Sequence, residues 1–180
     1  MIDVPSQAYG YKEEMVGISL ALAASADAYA TARLAGHPVI GVIVGNAISG
    51  GFLAHGLQSN RLIALDDDKI NIQAMSKASA ARITKRTIAE LEEATKKVPA
   101  MAYDVRSYST LGPLYRLLSG IQADAPQSAD VATVEQTISE AIDSTKGAPR
   151  DLSFRLETKE ALAGGRAATL KVRKALSEQW

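Results

Sequence analysis

A short apolar segment that follows a helix and precedes a glycine-rich turn constrains this chain most. Residues 39–44, VIGVIV, are typical of a strand that is buried on both faces. An alanine-rich segment with strong helix propensity runs to Leu34, and Gly36-His37-Pro38 carries the signals that end a helix. A helix, a short turn and a buried strand in this order predict an α/β fold.

We interpret residues 15–35 as a mostly buried helix and not as a membrane span. Ser19, Asp27 and Arg33 interrupt the apolar stretch, whereas a membrane span needs about 20 nearly continuous apolar residues. Residues 1–14 lack the basic and then apolar pattern of a signal peptide. The sequence therefore predicts a cytoplasmic protein with no membrane segment.

Composition excludes several classes of function. Lys plus Arg equals Asp plus Glu at 20 each, which argues against binding of nucleic acid through bulk charge. The chain has no cysteine, which excludes disulfides, thiolate metal sites and a cysteine nucleophile. With two histidines, His37 and His55, little material remains for a zinc site, and we expect no metal. An enzyme subunit or an interaction domain remains.

The 180 residues suit one domain with a tail. We divide the chain into a core, residues 1–120, and a helical C-terminal extension, residues 121–180. Strands are predicted at residues 2–4, 61–65 and 69–74, and helices at 76–84, 87–97, 128–144 and 158–177, the last interrupted by Gly164-Gly165. Residues 107–118 are ambiguous because Gly112-Pro113 divides them.

The glycine-rich segment that begins at Gly45 is the candidate site. It follows the buried strand and enters a short helix, so its first backbone N–H groups have no partner within that helix. Such donors can bind a phosphate, a carboxylate or an oxyanion, because glycine leaves the backbone open to approach. Close packing of helix and strand would explain Gly50-Gly51 equally well. A mononucleotide P-loop is excluded, because no Gly-Lys-Ser/Thr follows, and the spacing fits a dinucleotide fingerprint poorly.

Nucleophilic catalysis by Ser49 is disfavoured. Ile48-Ser49-Gly50-Gly51 is not the Gly-x-Ser-x-Gly elbow. A histidine base would also be needed, and His55, six residues further on, is poorly placed for a direct hydrogen bond.

Several segments together resemble a known family. The segment DVPSQAYG at residues 3–10, with Glu13-Glu14, resembles the Asp-Thr-Pro-Gly segment of carboxyltransferase subunits in the crotonase superfamily. GNAISGGFLAHG at residues 45–56 resembles their oxyanion loop. NRLIAL at 60–65, MSKASAAR at 75–82 and VPAMAYD at 98–104 are closest to the γ subunit of biotin-independent malonate decarboxylase. The resemblance is dense from Met1 to about Leu118.

The resemblance implies the β/α superhelix of the crotonase (ClpP/crotonase) fold. It also implies a partner, a homologous β subunit, with the active site at the interface between the two. The substrate would be a malonyl thioester on the phosphoribosyl-dephospho-CoA prosthetic group of an acyl carrier protein. The enzyme would be a carboxy-lyase, active only with its partner, that gives the acetyl thioester and CO2 without biotin, metal or a directly bound cofactor.

Five residues carry the expected site. The backbone N–H groups of Gly50 and Gly51 would form an oxyanion hole, since loss of CO2 leaves an enolate that such donors stabilise. Ser49, Gly45 and Gln7 would contact the substrate, although a role of Gln7 in bracing its loop is equally consistent with the sequence. Arg82 could pair with the carrier's phosphate, but a solvated position on its helix fits better.

Two departures from the family pattern leave alternatives open. Ser6 stands where the family has glycine, and the chain begins inside the fold, so we expect an N-terminally shortened subunit. One alternative is a non-catalytic assembly or interaction subunit of the same fold. Another is a carboxyltransferase subunit that uses biotin or an acyl-CoA.

Overall fold

A parallel sheet forms the centre of the molecule. The computed structural model describes residues 1–179. The strands are β1 (Ile2–Val4), β2 (Ile40–Ile48), β3 (Arg61–Leu65), β4 (Ile72–Gln73) and β5 (Arg116–Leu118). Their order is β1-β2-β3-β5, all parallel, and β4 pairs with the end of β2. The α/β prediction is confirmed.

Eight α-helices connect and cover these strands in the described part of the chain. They are α1 (Tyr11–Met15), α2 (Ile18–Leu34), α3 (Ser49–Ala54), α4 (Lys77–Thr84), α5 (Ile88–Lys97), α6 (Val105–Ser109), α7 (Ser128–Asp143) and α8 (Ala167–Ser177). A π-helical turn at Ala161–Gly165 precedes α8, which confirms the predicted interruption at Gly164-Gly165. The ambiguous region divides into α6 and β5, with Gly112 at φ +80° between them. None of the helices within residues 1–179 combines the length and hydropathy that crossing a membrane requires.

Strands β2 and β3 build the core. Gly41, Val42 and Ile43 pair with Leu62, Ile63 and Ala64, and the side chains of Ile43, Leu62 and Ile63 are completely buried. The buried run predicted at residues 39–44 is therefore confirmed. Helix α7 packs Ala141 into the same cluster, while the predicted division between residues 120 and 121 stays a prediction.

The predicted buried helix over residues 15–35 is wrong in two respects. Gly17, at φ +83°, separates α1 from α2, because only a residue without Cβ adopts this left-handed turn readily. Helix α2 is also largely exposed: Arg33 is its one buried residue, and Leu20 is 75% exposed. Nothing in residues 1–179 covers its outer face.

Strand β2 is longer than predicted. It continues through Gly45 and Asn46 to Ile48, where a loop was expected, because Ala47 donates its N–H to the carbonyl of Asn71 at 2.8 Å. This pairing with β4 also limits β4 to two residues, in place of the strand predicted over residues 69–74.

Three buried arginines join distant segments of the chain, and none of them forms an ion pair with a carboxylate within residues 1–179. Arg155, 8% exposed, donates to the carbonyls of Leu57 and Ser59, at 2.8 Å each. Arg61 donates to Ser144 at the end of α7, and Arg33 to Gln58 and Arg150. Burial lowers the pKa of Arg155 to about 10. These contacts hold the C-terminal region against the core through backbone carbonyls and the Ser144 hydroxyl.

Candidate functional site

The candidate turn lies at the carboxyl edge of the sheet. In a parallel sheet the segments after neighbouring strands meet at one edge, so the segment after β1 lies beside the β2–α3 junction. Ser49 opens α3 at φ +59°, a left-handed conformation that is rare outside glycine. This sharp change of direction sends the chain from the strand directly into the helix, and it places Gly50 and Gly51 in the first turn of α3.

Gln7 accepts a hydrogen bond from one of the two N–H groups that were expected to form the oxyanion hole. Its Oε1 accepts the Gly51 N–H at 3.2 Å and the Ser6 hydroxyl at 3.3 Å. An amide carbonyl oxygen thus receives two hydrogen bonds at the edge of the turn. The bracing role and the site role of Gln7 both fit this contact.

The Gly50 N–H is the open donor. Within residues 1–179 it makes no hydrogen bond, because it lies in the first turn, where no helical acceptor exists. Gly50 is half-buried, and a Cβ built on it would lie 3.2 Å from Gln7 Oε1. The two glycines are therefore not equivalent: Gly51 is engaged within the chain and Gly50 is available.

Gly51 and Gly45 are required for packing. A Cβ on Gly51 would lie 2.8 Å from Val4 Cγ1 and 3.0 Å from the backbone N of Gln7. A Cβ on Gly45 would lie 2.5 Å from Asp3 Oδ1. The close-packing explanation thus applies to Gly51 and Gly45, and the predicted contact of Gly45 with substrate stays a prediction.

Asp3 is a positioning residue that the sequence argument did not single out. Its Oδ1 accepts the backbone N–H of Asn46 at 2.8 Å and the Asn46 side-chain amide at 3.3 Å. Asn71 in turn donates to Asn46 Oδ1 at 3.5 Å. This network joins the segments around β1, β2 and β4 just before the turn. In the sequence, the one indication of it is Asp3 in the segment DVPSQAYG at residues 3–10.

His55 is engaged away from Ser49. Its Nδ1 and the Tyr29 hydroxyl are 2.7 Å apart, and the two rings meet edge to face. This pairing ties α3 to α2, which agrees with the argument against a Ser49 nucleophile. Within the described residues, no group of three or more His, Asp or Glu side chains is arranged to hold a metal ion.

Ser49 and Gly50 in the turn are half-buried, and Gly51 is buried. Two clefts, of about 500 and 230 Å³, lie elsewhere, and neither is lined by Gly50, Gly51 or Gln7. Beside the turn lies an exposed apolar surface, which we call the α1–α2 face. Its members are Tyr9, Tyr11, Met15, Val16 and Leu20, each at least 70% exposed.

Comparison with known proteins shows the family. The model of the malonate decarboxylase gamma subunit matches residues 1–180. The chain belongs to the malonate decarboxylase gamma subunit family. The resemblance stated from the sequence is thereby confirmed.

Solved structures agree with this assignment. The chain is similar to one in the crystal structure of a Pseudomonas malonate decarboxylase hetero-tetramer in complex with coenzyme A, with 52% identity and a TM-score of 0.91 over 99% of this chain and 66% of that one. It is equally similar in sequence, at 52%, to a chain of the Pseudomonas MdcD-MdcE hetero-dimer, with a TM-score of 0.84 over 99% of this chain and 65% of that one.

More distant relatives place the fold in a wider group. The transcarboxylase 12S structure, at 21% identity and a TM-score of 0.59 over 82% of this chain and 26% of that one, shares the fold. A malonyl-S-ACP:biotin-protein carboxyltransferase of Malonomonas rubra is 36% identical over 122 residues, 67% of this chain and 42% of that protein. The crotonase-like fold is confirmed. The chain spans less than two thirds of the length of these relatives.

Proposed function

We propose that this chain is a subunit of a malonate decarboxylase that acts on a malonyl thioester carried by an acyl carrier protein. The C–C bond to the carboxylate breaks, CO2 leaves, and the electron pair moves onto the thioester carbonyl as an enolate. The enolate carbon then takes a proton from water to give the acetyl thioester. The family assignment and the open N–H of Gly50 support this proposal.

The open amide is the observation that carries the chemistry. A backbone donor in a water-poor site stabilises an enolate without a nucleophile or a metal. Gly50 supplies one donor, and withdrawal of the Gln7 carbonyl would add those of Gly51 and Ser6. Ser49 lies beside them and would orient the departing carboxylate.

The α1–α2 face is the proposed contact with a homologous β subunit. Its exposed apolar side chains lie within residues 9–20, a segment that begins just after Gln7. A partner that covers this face would also enclose the half-buried part of the turn and exclude water. The named MdcD-MdcE hetero-dimer among the structural relatives supports such a pairing.

A charge on this face should disrupt the complex. Leu20→Asp is expected to weaken binding to the β subunit at least tenfold, because it places an unpaired carboxylate at an apolar contact. The thermal unfolding midpoint of the isolated chain should stay unchanged, since Leu20 is 75% exposed. Val172→Asp on α8, 58% exposed, is the matched control. If the Leu20→Asp and Val172→Asp variants bind the β subunit with equal affinity, the assignment of this face is contradicted.

Reconstitution tests the activity. The chain is mixed with a β subunit and a malonyl-carrier protein, and CO2 release is followed. We expect CO2 release only when both subunits are present. If no CO2 is released under conditions in which a longer γ subunit is active, a non-catalytic assembly role is favoured.

The Malonomonas relative, named as a carboxyltransferase, favours carboxyl transfer to biotin as a second candidate. Turnover that avidin blocks would support this candidate, and turnover insensitive to avidin would support decarboxylation. The cytoplasmic location stays a prediction from the sequence.

A further inference from the structure

A cleft at the opposite edge of the sheet carries an independent inference. Its volume is about 500 Å³, and it lies where the segments before β2 and β3 begin. Strand β2 spans nine residues, so roughly 26 Å separates this edge from the Gly50 turn. The polar side chains that line it are Arg33, His37, Asn60, Thr145, Lys146 and Arg150.

Two of these side chains are buried and keep a free donor. Arg33 is 7% exposed and donates through Nε and Nη1 to the carbonyls of Gln58 and Arg150. Asn60 is 5% exposed, and its Oδ1 accepts the Val39 N–H at 2.8 Å. Within residues 1–179, neither Arg33 Nη2 nor Asn60 Nδ2 donates a hydrogen bond to the protein. Both residues line the cleft, so these donors are available to a ligand.

The positive charge of the cleft is largely uncompensated. Neither Arg33 nor Arg150 forms an ion pair in the described chain. Lys146 pairs with Asp143 at 2.7 Å, and its side chain is 76% exposed. The carboxylate of Asp151 accepts hydrogen bonds from Ser153 and also attracts Arg33, but the two groups do not form an ion pair. Two guanidinium groups therefore face the cleft with no carboxylate within ion-pair distance in residues 1–179.

The end of α2 takes one donor of Arg150, and the end of α7 is bonded by its own backbone N–H groups. Helix C-termini carry partial negative charge through their free carbonyls. Here Arg150 Nη1 donates to the Leu34 carbonyl at 2.9 Å, Thr145 N to Ile142 at 3.0 Å and Lys146 N to Asp143 at 3.0 Å. These terminal carbonyls are satisfied from within the chain, whereas Arg33 Nη2 and Asn60 Nδ2 donate to no acceptor in residues 1–179. The cleft is therefore suited to an acceptor that carries negative charge.

We propose that this cleft binds a phosphate ester of nucleotide size. Planar guanidinium groups match the oxygens of a phosphate in a fixed fork geometry. The volume lies within the range of about 300–1,000 Å³ typical of small-molecule sites, so it exceeds what a bare phosphate needs. Pro38, Ile142 and Pro149 supply apolar surface for the rest of such a molecule. This proposal does not rest on the proposed function.

Titration calorimetry with AMP, adenosine and inorganic phosphate tests the proposal on the full chain. We expect saturable binding of AMP, competition by inorganic phosphate, and binding of adenosine at least tenfold weaker than that of AMP. Adenosine that binds as well as AMP, or no binding of AMP at millimolar concentration, would overturn it. Malonate that binds where AMP does not would overturn the phosphate assignment.

Variants locate the binding. Arg150→Gln is expected to weaken the binding of AMP at least tenfold. Lys146→Gln, which changes an exposed side chain, is expected to weaken it about threefold. Lys171→Gln on α8, also exposed, serves as the matched control and should bind AMP as the wild type does. Thermal unfolding of each variant separates loss of binding from loss of folding. AMP binding that is unchanged in a folded Arg150→Gln variant and in Lys146→Gln would place the ligand elsewhere and refute the site.

Discussion

Replacing Gly50 with valine is expected to lower CO2 release by the reconstituted complex about 100-fold, because loss of one oxyanion donor costs a factor of this size. A side chain at this position would cover the open N–H. The fold should tolerate the change, since the nearest atoms to a Cβ belong to the flexible Gln7 side chain, at 3.2 Å and beyond. Initial rates and thermal unfolding midpoints, measured on the same preparation, check both parts.

Gly51→Ala provides the contrast. Its Cβ would lie 3.0 Å from the backbone of Ser6 and Gln7, which cannot move aside as a side chain can. We expect this variant to lose stability as well as activity. A Gly50→Val variant that stays fully active would remove the case for an oxyanion donor at this turn. If Gly50→Val instead fails to fold, the glycine is there for packing.

Replacing Arg155 with alanine is expected to lower the free energy of unfolding by about 3–5 kcal/mol, because two charge-assisted hydrogen bonds disappear. The carbonyls of Leu57 and Ser59 would be left without these donors. The side chain also lies 5.9 Å from the centre of the Phe154 ring, a contact that the variant loses. Urea unfolding measures the change.

Arg173→Ala is the matched control, since Arg173 lies on the exposed surface of α8 and should change stability by no more than about 0.5 kcal/mol. Limited proteolysis adds a second readout, because a released C-terminal region should be cleaved between α7 and α8. A loss below about 1 kcal/mol for Arg155→Ala would show that the C-terminal region is held by other contacts.

Local pattern was sufficient for β1, for β3 and for the buried part of β2 that leads to the turn. The run at 39–44 is apolar throughout, and such a run has few alternatives to a buried strand. Helices α4 and α5 were predicted equally well. Ser76 and Thr87 stand at their N-termini and accept hydrogen bonds from the first turns that follow them. These features depend on residues close together in the chain.

Long-range contacts were not accessible in the same way. Gln7 reaches Gly51 across 44 positions, and nothing near Gly51 indicates that its N–H is taken. The sequence around Arg155 does not indicate that this side chain is buried. Its acceptor, the Leu57 carbonyl, lies 98 positions earlier in the chain. The predicted burial of α2 was wrong for a related reason. An apolar helix normally packs against other elements, but those elements need not belong to the same chain.

The exposure of the α1–α2 face has a consequence for how the protein is maintained in a cell. A surface of this kind invites self-association and proteolysis when it is left bare. Copies made in excess over the proposed β subunit should therefore be short-lived. Balanced synthesis of the two polypeptides, for example from one transcript, would keep the pool of orphan subunits small.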